Sequence, residues 1–232
     1  MQQTSYKYFI NQPRGVGDLI FCQHLVKTVC GENHLWPVEE MFYEQVTQAY
    51  PEINWVPKSG YETPIRISRR AKFGPFEILP IRFSDSYMKV PYKWVMKAKY
   101  DMFGLDYRDW LKSAQWKRNA AKEQQLKELK TSGNPYAVVN TNHGGSKFMS
   151  VGINPTTDLG VVHMNFTEGY TMFDWAAIFE GAEEIHTVGT GVLFMLEMLE
   201  LKNKVKVYKR ANNEPHENHN YLFTPSKFGF VQ

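Results

Sequence analysis

Tyr6 to Ile20 reads YKYFINQPRGVGDLI, and the order of residue types in this stretch decides the architecture. Tyr6 to Asn11 (YKYFIN) predicts a short apolar strand, Gln12 to Gly17 a turn rich in proline and glycine, and thereafter Leu19, Cys22, Leu25, Val26 and Val29 recur at helical spacing. A strand that gives way to an amphipathic helix through a glycine turn opens a βα unit. The pattern then repeats. His34 to Pro37 predicts a second strand, Glu39 to Ala49 a second helix closed by Tyr50-Pro51, and Ile53 to Val56 a third strand.

Further along, Pro64 to Phe83 predicts short strands, carried by Ile65, Ile67, Phe76, Ile78, Leu79, Ile81 and Phe83 with Arg66, Arg69, Arg70 and Lys72 among them. Tyr92 to Lys130 reads as helical, and residues 111–130 as one basic amphipathic helix bearing Lys112, Lys117, Arg118, Lys122, Lys127 and Lys130. The turn cluster Thr131 to Pro135 (TSGNP) marks a boundary, giving an N-terminal domain of residues 1–131 and a C-terminal domain of residues 132–232. After it come strand Tyr136 to Asn140, loop His143 to Lys147, strand Gly160 to Asn165, helix Met172 to Gly181, strand Glu184 to Val188, helix Thr190 to Leu201 and strand Lys204 to Tyr208. The tail beyond Arg210 reads as polar and irregular. Strands that alternate with helices build parallel sheets through right-handed crossovers, with ligands at the carboxyl ends of the strands. The expected fold is therefore α/β: two small Rossmann-like parallel-sheet domains facing a cleft.

Composition narrows the class. The chain has 232 residues, 43% of them hydrophobic and 22% charged, with a mean hydropathy of −0.46, which excludes a disordered chain and an ordinary membrane protein. The most apolar stretch, Val188 to Leu201, is too short to span a bilayer and is interrupted by Glu197 and Glu200. Lys and Arg exceed Asp and Glu by 27 to 24, a balance that does not call for a nucleic-acid partner. Cys22 and Cys30 fall in one helix roughly 12 Å apart, too far to bridge. With no apolar run ending in small residues between Met1 and Gln12, the expectation is a reducing, cytoplasmic compartment.

Three segments carry residues suited to chemistry. Gly15-Val16-Gly17-Asp18 stands where the first strand hands over to the first helix; glycines there admit a close ligand, and helix-start amides favour an anion. No third glycine follows, so the dinucleotide fingerprint is absent. Asp18 is either a helix cap or a general base at a cleft edge. His186-Thr187-Val188-Gly189-Thr190-Gly191 occupies a second strand-to-helix junction, where small residues and a hydroxyl suit a diphosphate. Glu197, two turns further along, is placed to accept from ribose hydroxyls or simply to face solvent. Asn142-His143-Gly144-Gly145-Ser146-Lys147 lacks P-loop order but offers Ser146 and Lys147 to a phosphate, if it is more than a surface loop.

The strand, G-x-G-D-[LI]-I and helix at the start, with the late E-x-I-H-T-V-x-T-G, its apolar helix and a K-V-x-V-Y strand, together resemble heptosyltransferase-type glycosyltransferases of family nine and their short viral or bacterial relatives. The resemblance implies a GT-B architecture, an acceptor-binding N-terminal half and a nucleotide-sugar-binding C-terminal half. It makes Asp18 the base on the acceptor hydroxyl, while Gly15 and Gly17 remain substrate-binding candidates from the glycine-turn reading. It assigns Thr190, Gly191 and the loop lysine Lys147 to the diphosphate, while Gly189, Ser146 and Glu197 are candidates from the chemistry of the residues themselves. The implied partners are a nucleotide sugar and a glycan or other hydroxyl acceptor. No cofactor is implied, and the chain contains no D-x-D motif for a divalent ion. Gly189 stands where the family has an aspartate, and the chain is short for GT-B, so the alternative is a catalytically inactive nucleotide- or glycan-binding module.

Two weaker patterns complete the inventory. His216 and His219 with Glu214 and Glu217 read as a polar tail rather than a metal site. The basic 111–130 segment with Trp110 and Trp116 reads as a solvated face, since Glu123 and Glu128 give its lysines helix-spaced partners.

Overall fold

The computed structural model describes residues 6–12, 15–59, 72–81, 94–143, 149–210 and 220–231. They fall in two compact units, Met1–Lys117 and Arg118–Gln232.

The first unit runs β1 (Tyr8–Ile10), α1 (Val16–Cys30), β2 (His34–Val38), α2 (Glu40–Ala49), β3 (Trp55–Pro57), β4 (Lys72–Phe73), β5 (Phe76–Leu79), α3 (Val95–Asp101) and a 3-10 helix (Tyr107–Ser113). Its sheet has the order β3-β2-β1-β5-β4. All pairings are parallel except that of β4 with β5. Every residue of β2 is buried, as a strand covered on both faces requires. Phe9, Ile10, Ile20, Phe21, Leu25, Trp36 and Leu79 fill the core. Trp36 meets Trp55 with ring centroids 4.8 Å apart. Tyr100 donates to the Phe21 carbonyl at 2.7 Å and Tyr50 to the Ala114 carbonyl at 2.9 Å, so later segments are tied to the first two βα units by buried phenols. Burial pushes both phenols above their ordinary range, which keeps them hydrogen-bond donors.

The second unit runs α4 (Ala120–Lys130), β6 (Tyr136–Asn140), β7 (Asn142–His143), β8 (Met149–Ser150), β9 (Gly160–His163), a 3-10 helix (Met172–Trp175), α5 (Ala176–Gly181), β10 (Glu184–Val188), α6 (Val192–Met198), β11 (Val205–Tyr208), a 3-10 turn (Asn220–Leu222) and β12 (Phe228–Phe230). The sheet order is β12-β11-β10-β6-β9, parallel throughout, while β7 and β8 form a separate antiparallel hairpin. Side chains alternate between the faces of a strand, and the register sorts them. Tyr136, Val138, Ile185, Val205, Val207 and Phe228 share one face. Tyr136 donates there to the Ile178 carbonyl of α5 at 2.8 Å, and Phe223 bridges Phe194 of α6 to Phe228 at centroid distances of 5.1 and 5.2 Å. The opposite face carries Ala137, Val139, Glu184, His186, Lys206 and Tyr208.

The α/β class with parallel sheets is as expected, but three details differ. The division falls between Lys117 and Arg118 rather than in the Thr131 to Pro135 turn. The Lys117 amide bonds to the Ala49 carbonyl at 2.7 Å within the first unit, whereas Arg118 grips the buried Glu123 of α4 and, at 2.7 and 2.8 Å, Glu180 of α5. The basic stretch 111–130 is not one helix: Asp106 caps the 3-10 helix, Asn119 caps α4, and Trp110 and Trp116 turn inward and are buried. The tail is not wholly irregular, because Phe228 to Phe230 adds a fifth strand, with Val205 opposite Phe228. Among the described residues no helix is long and apolar enough to cross a membrane.

Candidate functional site

Each sheet has a topological switch point, where the chain leaves a central strand for one side and returns on the other. Ligands of open α/β sheets bind in the crevice this creates at the strands' carboxyl ends. In the first unit the switch lies between β1 and β5, with β2 and β3 laid down on the other side of β1. Gln12, Gly15 and Asp18 follow β1 there. Gly15 adopts φ +79°, and a Cβ on it would collide with Asp18 Oδ2, so glycine is needed both for backbone geometry and for room. Gly17 is buried in the first turn of α1. The amides of Val16, Gly17 and Asp18 have no acceptor among the described residues.

Asp18 does not cap the helix. Its carboxylate, 34% exposed, accepts from the ammonium of Lys99 on α3, which is 1% exposed. Lys99 also donates to Gln12 Oε1 at 3.0 Å, and Gln12 is itself buried, its carbonyl accepting from Trp36 Nε1 at 2.9 Å. Cys22, one turn beyond Asp18, is buried and its thiol is pushed up to about 12 by that burial, which makes it inert as a nucleophile. Both cysteines lie buried and unbridged in α1.

The second sheet switches between β6 and β10, with β9 on the far side of β6. Asn140 at the end of β6 donates to Thr187 Oγ1 at 2.9 Å, and its Oδ1 accepts the Asn142 amide at 3.2 Å. The half-buried Gly189-Thr190-Gly191 turn follows β10. Gly189 donates its amide to the Tyr208 carbonyl at 3.2 Å, and none of the described residues lies within 4 Å of where a Cβ on it would be. The amides of Thr190, Gly191 and Val192 have no acceptor among the described residues. The helix they open, α6, has only seven residues, shorter than the Thr190 to Leu201 span expected.

Glu197 has a different occupation from the ribose contact expected of it. It is 5% exposed, and its carboxylate accepts the hydroxyl of Thr224 and, at 3.2 and 3.3 Å, the Thr224 amide. The Lys227 ammonium caps the backbone carbonyls of Glu197 and Leu199 at 2.5 and 3.0 Å, so the end of α6 anchors the chain that leads into β12. Ser146 and Lys147 lie outside the described residues, as do Glu214, His216, Glu217 and His219. Among the described residues no three His, Cys, Asp or Glu side chains gather as a metal-ligand set.

Lys99 and Gln12 are the residues of the first crevice that sequence reading missed. Lys99 sits among the buried Val95, Met96, Ala98 and Tyr100 of α3, and that apolar setting was the available signal, since a lysine there needs a counter-charge. Its neighbour Lys97 is half-exposed and pairs with Asp101 at 2.6 Å, the ordinary surface arrangement. Comparison with family models, with curated proteins and with solved structures finds no match to this chain, which leaves the chemistry of the two crevices as the guide to function.

Proposed function

We propose that the chain is a glycosyltransferase, moving a sugar from a nucleotide-diphosphate donor to an acceptor hydroxyl. The observation that carries this reading is the contrast between the switch points: a fixed carboxylate in the first unit, and a neutral, amide-rich glycine turn in the second. A carboxylate repels a diphosphate but accepts from a hydroxyl, which suits Asp18 to the acceptor and to taking its proton. Backbone amides without an acceptor among the described residues suit the diphosphate, so Thr190 and Gly191 hold the donor, with Gly189 leaving space for its approach and Lys147 and Ser146 as further donors to it. Such a reaction needs no metal ion, because amides and a lysine take up the charge of the leaving diphosphate. The GT-B arrangement, in which both halves serve one cleft, belongs to this proposal. Glu197 has no part in it.

A binding-only module is the second reading, favoured because Asp18 Oδ1 is already engaged by Lys99. The two are separated by measuring melting temperature across a panel of nucleotide-diphosphate sugars, then release of nucleotide diphosphate with glycan acceptors. The double variant Asp18→Asn/Lys99→Met, which removes both charges together, is expected to bind donor like the wild type and to turn over at least about 100-fold more slowly. Equal turnover ends the base assignment. Donor binding without turnover in the wild type selects the module, and absence of any donor-induced shift ends both readings.

A further inference from the structure

On the face of the second sheet opposite α5, three residues form a hydrogen-bonded chain that the glycosyltransferase reading does not use. His186 on β10 is 1% exposed. Its Nε2 lies 2.8 Å from Glu184 Oε2, and its Nδ1 lies 2.9 Å from the hydroxyl of Tyr208 on β11. The parallel register builds this: His186 stands opposite Lys206 and Val188 opposite Tyr208, so Glu184, His186, Lys206 and Tyr208 all point to one side.

Proton positions follow from the chemistry of the partners. The Glu184 carboxylate also accepts from Lys206 at 3.1 Å and from Thr157 at 3.3 Å, and the bonds from His186 and Lys206 hold its carboxyl below the ordinary range. An ionised carboxylate only accepts, so Nε2 carries the imidazole proton. When the ring carries that single proton, Nδ1 is the acceptor and Tyr208 donates to it. Carboxylate, imidazole and hydroxyl thus stand in the order that activates a hydroxyl, with the base oriented by a third group. The exposure gradient fits: the imidazole is sealed, and the phenol is half-buried at the end of its strand. Packing alone does not ask for this, since the other face joins the same two strands with Ile185, Val205 and Val207.

We propose that Glu184, His186 and Tyr208 form a proton relay that makes the Tyr208 oxygen a proton-accepting and nucleophilic site for a hydroxyl-bearing ligand. When the ligand hydroxyl gives its proton to the Tyr208 oxygen, the tyrosine proton passes to Nδ1 of His186, and the resulting imidazolium is paired with Glu184. Against an electrophile the same relay runs with bond formation. The Tyr208 oxygen attacks the acyl carbon of 4-nitrophenyl acetate, its proton moves to Nδ1, the carbon–oxygen bond to the leaving group breaks, and O-acetyl-Tyr208 and 4-nitrophenolate result.

The full chain is therefore treated with 4-nitrophenyl acetate at neutral pH, and acetylation is read peptide by peptide by mass. Tyr170, half-buried in the same unit, is the internal comparison. Tyr208 is expected to acetylate at least about 100-fold faster than Tyr170, in the range that a positioned base supplies, and to fall to the Tyr170 rate in His186→Gln. Should His186→Gln fail to fold by circular dichroism, Glu184→Gln reports the same relay from its half-exposed end, with an expected slowing of about tenfold. Labelling of Tyr208 no faster than of Tyr170, or labelling unchanged in a folded relay variant, overturns the proposal. Because the probe is not a sugar donor, either outcome is independent of the glycosyl-transfer reading.

Discussion

The switch point of the first sheet holds an ion pair between the buried Lys99 and the partly exposed Asp18, braced by Gln12. That of the second holds a neutral pair, Asn140 with Thr187, beside a glycine turn. The two stand at the same topological address and solve different problems. A buried ammonium is costly to desolvate and stays only if its partner stays, so the first unit commits stability to holding one carboxylate in one place. An amide-to-hydroxyl bond asks for little and carries no net charge. Parallel-sheet topology supplies a crevice in both, and side-chain charge decides what each can hold.

The sharpest way to break this comparison is to remove one half of the ion pair. Asp18→Asn strands a 1%-exposed ammonium and is expected to lower the stability of the first unit by about 3–5 kcal/mol in urea unfolding, with most of the loss restored by adding Lys99→Met. No loss from Asp18→Asn would mean the pair is ornamental. The two glycine turns give the next contrast. Gly15→Ala meets both a positive φ and the Asp18 carboxylate and is expected to cost about 2–3 kcal/mol. Gly189→Ala meets open space and is expected to stay within about 0.5 kcal/mol while weakening donor binding in calorimetry. Asn140→Ala, which removes the donor to Thr187 Oγ1 and the acceptor of the Asn142 amide, is expected to cost about 1–2 kcal/mol, well short of Asp18→Asn.

Acid gives the gentlest separation. Burial lowers the His34 imidazole below its ordinary 6.5, and burial lowers His24 in the same direction, so the unfolded chain takes up those protons first. Stability therefore falls as pH drops below about 6.5, and His34→Leu is expected to flatten that slope in melting temperatures between pH 7 and 5.5. Glu184 in the second unit is lowered from 4.5, chiefly by its bond from His186. Its contribution is present above about 4.5 and is lost only as pH falls further, so two separate acid windows are expected, and a single merged one would contradict the assignment.

Much of the first crevice was legible because it is local. Gly15 and Asp18 lie three residues apart at a strand-to-helix turn, and that spacing alone put them near each other at the head of α1. Lys99 was not legible, because its pairing with Asp18 spans 81 positions and arises only when α3 settles against α1. Glu197 misled for the same reason. Helical spacing from Thr190 placed it on a face, but Thr224, 27 positions on, claimed the carboxylate. The basic 111–130 stretch looked continuous because lysine spacing says nothing of caps, and Asn119 and the inward-turned tryptophans divide it.

The residue pattern by itself determined the alternation of short apolar strands with amphipathic helices, hence parallel sheets, since periodicity and glycine turns are properties of neighbours in the chain. Tertiary structure alone decided which strand became central, and so where the crevices lie. It also decided that β12 closes the second sheet and which charges meet. Those outcomes depend on burial and long-range pairing, where the cost of a lone charge or an unpaired strand edge is settled by groups far away in sequence.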